Sequence, residues 1–166
     1  MAIVQKISPC LWFDSQAEDA AKFYVSVFPD SAIGATTRYG KEGFEIHGRP
    51  EGSVLTVTFR LAGQEFTALN GGPIFKFNEA ISLVVRCETQ GEIDRYWTAL
   101  SAGGDPTAQQ CGWLKDRYGL SWQVVPEPLH AMLGDPDTQK SGRVMASLLQ
   151  MKKLDLSALR RAYEGA

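Results

Sequence analysis

The side chains in this sequence that could do chemistry are few and lie far apart. Glu79 is the candidate catalytic base, because it follows Phe75 and Phe77 and a carboxylate partly shielded by aromatic rings can have a raised pKa. The alternative is that Glu79 forms hydrogen bonds that fix a loop. Cys111 could be a nucleophile, but no histidine lies near it in the sequence, so a buried structural thiol is the simpler interpretation.

The histidines and cysteines do not form a pattern that binds metal. His47 is predicted in a loop and His130 in the C-terminal tail, and plain surface is the simplest expectation for both. The three cysteines are odd in number and widely spaced, which argues against a disulfide framework and against a zinc knuckle. They are Cys10, Cys87 and Cys111. A reducing cytoplasm is therefore the expected location.

Composition and charge exclude several kinds of partner. The chain has 166 residues, of which 44% are hydrophobic and 22% charged, and a formal charge of −2. Its Lys and Arg residues are scattered, so we expect no nucleic-acid partner. No apolar stretch approaches membrane-spanning length, the N-terminal one is too short for a secretory signal, and the C-terminal helices are not basic enough for a membrane surface. We therefore expect neither a membrane nor a nucleic acid as partner.

The first half of the chain predicts a strand, a helix and three further strands. Residues 5–13 read as a strand, and Ser15-x-x-Glu18 has the spacing of a capping box, in which hydroxyl and carboxylate bond the free amides at a helix start. The helix is predicted to end near Phe28. Three strands are then predicted, at residues 32–39, 53–61 and 65–70; apolar and polar side chains alternate in the second, and a tight turn leads into the third.

A similar order of elements is predicted in the second half. Residues 80–87 read as a strand, and Thr89-x-x-Glu92 is a second capping box. The helix that it opens ends near residue 103, and a hairpin leads into a strand at residues 120–125.

Matching aromatic pairs support a duplication. Phe23-Tyr24 and Tyr96-Trp97 lie 73 residues apart on the two predicted helices, which favours a repeated βαβββ unit over an unrelated ferredoxin-like α+β sandwich. We therefore predict an α+β fold whose tail covers apolar sheet or a subunit contact. Its three segments are a first βαβββ module at residues 1–72, a second at 73–126 and a C-terminal helical extension at 127–166.

Five segments carry a resemblance that spans essentially the whole chain. They are PCLWFD at 9–14, TALNGGP at 67–73, FKFNEAIS at 75–82, CGWLKD at 111–116 and LQMKK at 149–153. Together they resemble the PhnB-like branch of the vicinal-oxygen-chelate (glyoxalase/bleomycin-resistance/dioxygenase) superfamily, a branch often labelled 3-demethylubiquinone-9 3-methyltransferase. The resemblance implies paired βαβββ modules whose curved mixed sheets enclose a cavity, usually in a homodimer.

Enzymes of this superfamily hold a divalent metal on four inward strand positions, with His, Glu or Gln as ligands. The resemblance puts those positions at Pro9, Thr67, Ser82 and Gln123, to within one residue; a shift by one brings in Cys10 or Trp122 but no complete ligand set. Proline cannot ligate through its ring, hydroxyls are poor ligands, and one amide oxygen cannot hold a divalent ion alone. We therefore expect no metal and no other cofactor.

The implied cavity is expected to be apolar with a few polar groups, which suits a small organic ligand. If Phe13 points inward, period-two alternation gives the remaining inward positions. The predicted ligand-binding residues are Phe13, Glu65, Thr67, Ser82, Arg86, Trp113, Ser121 and Gln123. Each polar residue has an alternative: Glu65 and Arg86 at exposed strand ends, Thr67 and Ser82 bonded to backbone. For Trp113 the alternative is the core.

Three functions are compatible with these residues. The leading hypothesis is a metal-independent protein that binds a small molecule, with or without a reaction. The second is a sequestering protein similar to bleomycin-resistance proteins. The third is the methyltransferase of the label, but Gly71-Gly72-Pro73 and Gly103-Gly104 lack the spacing and context of a loop that cradles a nucleotide-derived methyl donor. The expected partners are a small-molecule ligand and a second copy of the chain.

Overall fold

Residues 5–166 are described by a computed structural model, and they divide into two compact units. The first unit ends at Phe77 and the second begins at Asn78. The predicted fold class, α+β with mixed sheets and C-terminal helices, is confirmed. Each unit has its own open sheet, so the enclosed cavity that the resemblance implies stays a prediction.

The first unit is a four-stranded sheet with one long helix. In its sheet the strands lie in the order β1-β4-β3-β2; β1 is parallel to β4, and the other pairs are antiparallel. Its elements in chain order are β1 (Cys10–Phe13), α1 (Ala17–Val27), β2 (Ala32–Arg38), α2 (Phe44–His47), β3 (Val54–Leu61) and β4 (Gln64–Asn70).

Helix α1 covers one face of this sheet. Its Tyr24 is fully buried and stacks on Phe59 of β3, with 6.1 Å between ring centroids. Phe59 in turn stacks on Phe66 of β4 at 5.4 Å. Because side chains alternate along a strand, the residues directly before and after Phe59 and Phe66 point to the uncovered face.

The start of α1 differs from the sequence prediction. Its N-terminal cap position is Gln16 rather than Ser15, and no side chain of that position bonds the helix. Instead the buried Asn70 at the end of β4 accepts a hydrogen bond from the amide of Ala17, at 2.8 Å from Oδ1. The capping box at Ser15 is therefore wrong, because a side chain far along the chain reaches the free amide first.

The second unit holds a three-stranded sheet, one covering helix and three C-terminal helices among the described residues. Its strands lie in the order β5-β7-β6; β5 is parallel to β7 and β6 antiparallel. Its elements are β5 (Leu83–Cys87), α3 (Gln90–Ser101), β6 (Trp113–Lys115), β7 (Ser121–Pro126), α4 (Leu129–Leu133), α5 (Thr138–Leu148) and α6 (Leu156–Glu164).

The second capping box is confirmed, except that the Glu92 carboxylate bonds the amide of Glu88 rather than that of Thr89. The Thr89 hydroxyl accepts from the amide of Glu92 at 3.2 Å, and the Glu92 carboxylate accepts from the amide of Glu88 at 2.7 Å. The predicted apolar face of α3 is buried, including the aromatic pair Tyr96 and Trp97. These rings occupy the helix position that the duplicated pattern predicted.

The second module is shorter by one strand than the predicted βαβββ unit. Between α3 and β6 the described residues form a short 3-10 helix, Pro106–Ala108, and one isolated bridge from Gln110 to Trp113. The Asp105 carboxylate caps this turn by accepting from the amide of Thr107 at 2.9 Å. Proline at the first turn and an aspartate cap favour a helical turn. This turn lies where the βαβββ pattern has its first strand after the helix.

The C-terminal extension packs as part of the second unit. Asp137 and Asp155 cap α5 and α6 by accepting from backbone amides of the first turns. The Arg143 guanidinium of α5 bonds two carbonyl oxygens at the end of α6, which holds the pair together. An apolar cluster lies between the helices, made of Leu129, Val144, Leu148, Leu154 and Leu159. No helix within residues 5–166 is both long and apolar enough to span a membrane.

Candidate functional site

The predicted site residues of the first unit lie on two different faces of its sheet. In the parallel pairing of β1 with β4, Cys10 lies opposite Thr67 and Phe13 opposite Asn70. Paired residues point to the same side of the sheet, so Phe13 shares the covered face with Asn70. Cys10 lies three positions before Phe13 and points the opposite way, so its partner Thr67 lies on the uncovered face. Phe13 is 3% exposed and packs edge-on against Phe77. The predicted grouping of Phe13 with Thr67 is therefore wrong, because strand register sets the faces.

The other two positions of the first unit are polar. Thr67 is half-buried on the uncovered face, opposite Thr58, and its amide donates to the Pro9 carbonyl at 3.0 Å. Glu65 is exposed near the start of β4, where its amide donates to the Gln5 side chain at 2.9 Å. The position of Glu65 agrees with the alternative interpretation, an exposed strand end.

In the second unit the strand pairing brings most of the predicted residues together. Val84 lies opposite Gln123, Arg86 opposite Val125, and Trp113 opposite Gln123 on its other side. These residues share the face away from α3. The neighbouring positions Trp122 and Val124 are buried, as the alternation predicted.

A pocket of about 380 Å³ opens on this face. Val84 and Val125 give it apolar walls, and Arg86 and Gln123 are its polar strand residues. The Gln123 amide nitrogen donates to the Ser82 hydroxyl at 2.9 Å, which fixes the orientation of the Gln123 side chain. The Arg86 guanidinium has no hydrogen bond or ion pair with any described residue. The pocket therefore offers an exposed guanidinium that pairs with none of residues 5–166, and an amide held by Ser82, on an apolar face.

Ser121 and Trp113 lie on the same face but do not line this pocket. Ser121 is 1% exposed, and its hydroxyl has no hydrogen-bond partner among the described residues. A buried hydroxyl without a partner costs about 1–3 kcal/mol, so a water or ligand atom that bonds it would be favoured. Trp113 is half-buried beside Gln123, so it is neither a fully buried core residue nor part of the pocket lining.

Glu79 differs from its predicted environment. Its side chain is 64% exposed and forms an ion pair with Lys115 of β6 at 2.5 Å. The hydrogen bond from Lys115 holds the pKa of Glu79 below its ordinary value, and a backbone hydrogen bond adds to this. The raised pKa expected of a shielded base is therefore wrong in direction, because a cation and solvent surround the carboxylate. The alternative, a side chain that fixes its loop, agrees with the ion pair.

The two histidines are not both plain surface. His47 is half-buried; its Nδ1 accepts from the Arg49 amide at 2.9 Å, and its ring lies 4.6 Å from that of Tyr39. His130 is exposed but lines the same pocket as Arg86. Sequence reasoning missed His130, since no local pattern connects a residue of the tail with a strand some forty positions earlier.

Cys111 belongs to the apolar packing of the second unit. It is half-buried against the cluster formed by the C-terminal helices, and its amide donates to the Met151 carbonyl at 2.8 Å. Its backbone has φ of 52°, an uncommon value for a residue other than glycine. This environment agrees with the structural thiol that the sequence favoured.

The residues at the positions that the resemblance assigns to a metal are poor ligands. Ser82 and Gln123 bond each other and offer a hydroxyl and one amide oxygen, and Pro9 and Thr67 add no strong ligand. Across residues 5–166, no group of three or more His, Cys, Asp or Glu side chains is placed to bind one ion.

A larger pocket of about 530 Å³ in the first unit lacks a free cation. Its lining includes Trp12, Ile46 and Arg49. The Arg49 guanidinium is already paired with the Asp14 carboxylate at 2.9 Å, and it also bonds the Asp14 carbonyl. Because this charge is neutralised, the pocket with Arg86 is the better candidate for a ligand site.

The fold and this pocket describe an α+β protein with open mixed sheets and a candidate ligand pocket. Residues 5–125 match the family described as 3-demethylubiquinone-9 3-methyltransferase, and the chain belongs to that family. No curated protein is significantly similar to it.

Two solved structures give the relationship more detail. A Bacillus cereus protein described as a "putative 3-demethylubiquinone-9 3-methyltransferase, PhnB protein" is 39% identical, with a TM-score of 0.62 over 74% of this chain and 99% of that chain. Protein PA1353 from Pseudomonas aeruginosa is 20% identical, with a TM-score of 0.56 over 75% and 98%. The predicted resemblance to the PhnB-like branch that carries the 3-demethylubiquinone-9 3-methyltransferase label is confirmed.

Proposed function

We propose that this protein binds a small organic molecule without a metal, in the pocket on the open face of β5 and β7. The observation that carries the proposal is the unpaired guanidinium of Arg86 beside Gln123 on an apolar surface. Ligand pockets are mostly apolar with a few placed polar groups, and their volumes begin near 300 Å³. The pocket of about 380 Å³ falls in that class.

A thermal-shift screen of metabolites, with and without divalent metals, tests this function. We expect a ligand to raise the melting temperature equally in both conditions. Val84→Trp should abolish the shift by filling the pocket, whereas Ile81→Trp, at an exposed position outside the pocket, should keep it. A shift that needs metal, or near-stoichiometric zinc, nickel or manganese in the purified protein, would contradict the proposal.

Sequestering of a drug or metabolite is the second candidate function, and it uses the same pocket. The ion pair of Glu79 with Lys115 favours it, because the pairing lowers the pKa of the proposed base and makes this carboxylate a weaker proton acceptor. Binding without turnover of the identified ligand would support sequestration. Turnover that survives Glu79→Gln would support an enzyme with another base.

Methyl transfer has little support in the site. After β4 the chain runs through Gly71 and Gly72 without entering a helix, and the sheets are not doubly wound. A methyl-donor loop normally connects a strand to a helix N-terminus in such a sheet. We expect no binding in a calorimetric titration with S-adenosylmethionine, and micromolar affinity would revive methyl transfer.

We further propose a cytoplasmic homodimer. β2 lies at an edge of the four-stranded sheet, and all seven of its residues are exposed. Exposed strand edges are commonly covered by a partner, and a second copy of the chain is the commonest one. Light scattering coupled to gel filtration over a dilution series should give twice the chain mass. A single-chain mass that persists at high concentration would contradict the dimer.

A further inference from the structure

The candidate pocket has a second wall that lies outside the family match. The match ends at residue 125, and α4 begins at Leu129. Nevertheless Leu129, His130 and Leu133 line the same pocket as Arg86. The part of the pocket shared with the family is therefore the strand face, and the extension closes it on another side.

Helix α4 is held in place by the rest of the extension. Leu129 is 7% exposed and belongs to the apolar cluster with Val144 and Leu148 of α5 and Leu159 of α6. Just before α4, the amide of Glu127 donates to the Cys87 carbonyl at the end of β5, at 2.8 Å. The wall is thus anchored at both the sheet and the helical cluster, as a preorganised binding surface requires.

The side chains that line the pocket define a ligand chemistry. Arg86 presents a planar fork of donors that fits the two oxygens of a carboxylate, and no described residue occupies it. Arg86 and His130 are the basic residues of the lining and the exposed Glu127 is its one acidic residue, so Arg86 is the one permanent cation for an anionic group of the ligand. Valine and leucine side chains from the strands and α4 surround the remaining volume.

We infer that the extension selects the ligand, and that the ligand is a small monocarboxylate with an apolar body. Its carboxylate pairs with Arg86, and its apolar body packs between Val84 of β5 and Leu133 of α4. His130 lies beside the bound molecule and can donate or accept one further hydrogen bond. This inference rests on the proposed function, and it assigns the pocket a chemical class and a specificity-determining wall.

Matched acids and amides test the ligand class. The probes are 3-phenylpropionate and 4-methylpentanoate with their primary amides, titrated into the full chain and followed by NMR of protein amides and ligand. We expect each acid to bind at least tenfold more tightly than its amide, because only the acid pairs with Arg86. Arg86→Met should remove this preference, and Arg86→Lys should keep part of it.

Paired tryptophan substitutions test the wall. Leu133→Trp fills the pocket from α4 without touching the strands, so it should raise Kd for 3-phenylpropionate at least tenfold. Leu149→Trp adds the same bulk at an exposed position of the extension outside the pocket, so Kd should stay within twofold of wild type. Melting temperatures of both variants show that the chain folds.

The outcomes separate this inference from the proposed function. Equal binding of acids and amides, or a Kd unchanged by Leu133→Trp, would overturn the inference. In that case the pocket would still be supported as the binding site if a metabolite raises the melting temperature and Val84→Trp abolishes that rise. If Val84→Trp also leaves the binding of every ligand unchanged, the proposed function fails together with the inference.

Discussion

The carboxylate of Asp116 accepts a hydrogen bond from the indole nitrogen of Trp122, at 2.8 Å from Oδ2. Its other oxygen accepts from the amides of Tyr118 and Leu120, at 2.8 and 3.1 Å. Asp116 is 2% exposed and Trp122 is also 2% exposed, so this network is inside the second unit. One side chain thus fixes the turn between β6 and β7 and anchors the strand that carries Gln123.

Replacing Asp116 should destabilise the protein strongly. Asp116→Ala leaves an indole and two amides without their acceptor, and we expect a loss of about 3 kcal/mol in the free energy of unfolding. Trp122→Phe removes one bond and keeps the ring, so about 1.5 kcal/mol is expected. Urea denaturation followed by circular dichroism measures both. An Asp116→Ala loss no larger than that of the exposed cap variant Asp105→Ala would contradict the network's role.

Asn70 should stabilise the first unit through both ends of its amide. Its oxygen bonds the start of α1, and its nitrogen donates to the Val54 carbonyl at 3.1 Å. We expect Asn70→Ala to cost about 2 kcal/mol, because the buried amide of Ala17 and the partly buried carbonyl of Val54 both lose their hydrogen bond to this side chain. Asn70→Asp keeps the acceptor and should lose less. Asn78→Ala, at an exposed asparagine, is the control; equal losses in a urea titration would show that Asn70 is not a special anchor.

The stabilisation that Glu79 contributes should depend on pH through its ion pair with Lys115. The folded pKa lies below the ordinary value of 4.5, so any stabilisation by this carboxylate is present above that value. It is lost as the pH falls through the folded pKa. An NMR titration of the side chain should give this lowered pKa, and Lys115→Met should return it toward 4.5. A pKa above 4.5 in the wild type would restore Glu79 as a candidate base.

Cys87 should be inert toward thiol reagents in the folded protein. Its side chain is fully buried, and burial raises its pKa to about 11, with a smaller contribution from Glu92. The thiol therefore stays protonated at pH 8, and the thiolate is the reactive form. With Ellman's reagent we expect the exposed Cys10 to react first and Cys87 only in denaturant. If Cys10→Ser leaves the fast phase unchanged, the assignment is wrong.

The sequence by itself determined most of the elements and the family. Helix α3 with its Thr89 cap, the buried pair Tyr96 and Trp97, and the covered positions of β7 all follow from local spacing, which is a property of consecutive residues. The grouping of Arg86 with Gln123 was also predictable, because both strands alternate and the assumed alignment happened to agree with their register.

Only the tertiary structure decided which faces and distant groups meet. Phe13 lies on the covered face because β1 pairs with β4 in one register, and a shift by one residue would have reversed it. Asn70 replaced Ser15 at α1, Lys115 lowered the pKa of Glu79, and His130 came to line the pocket of Arg86. Each of these is a contact between residues far apart in the chain. Such contacts depend on how complete elements pack, and local spacing carries no information about that packing.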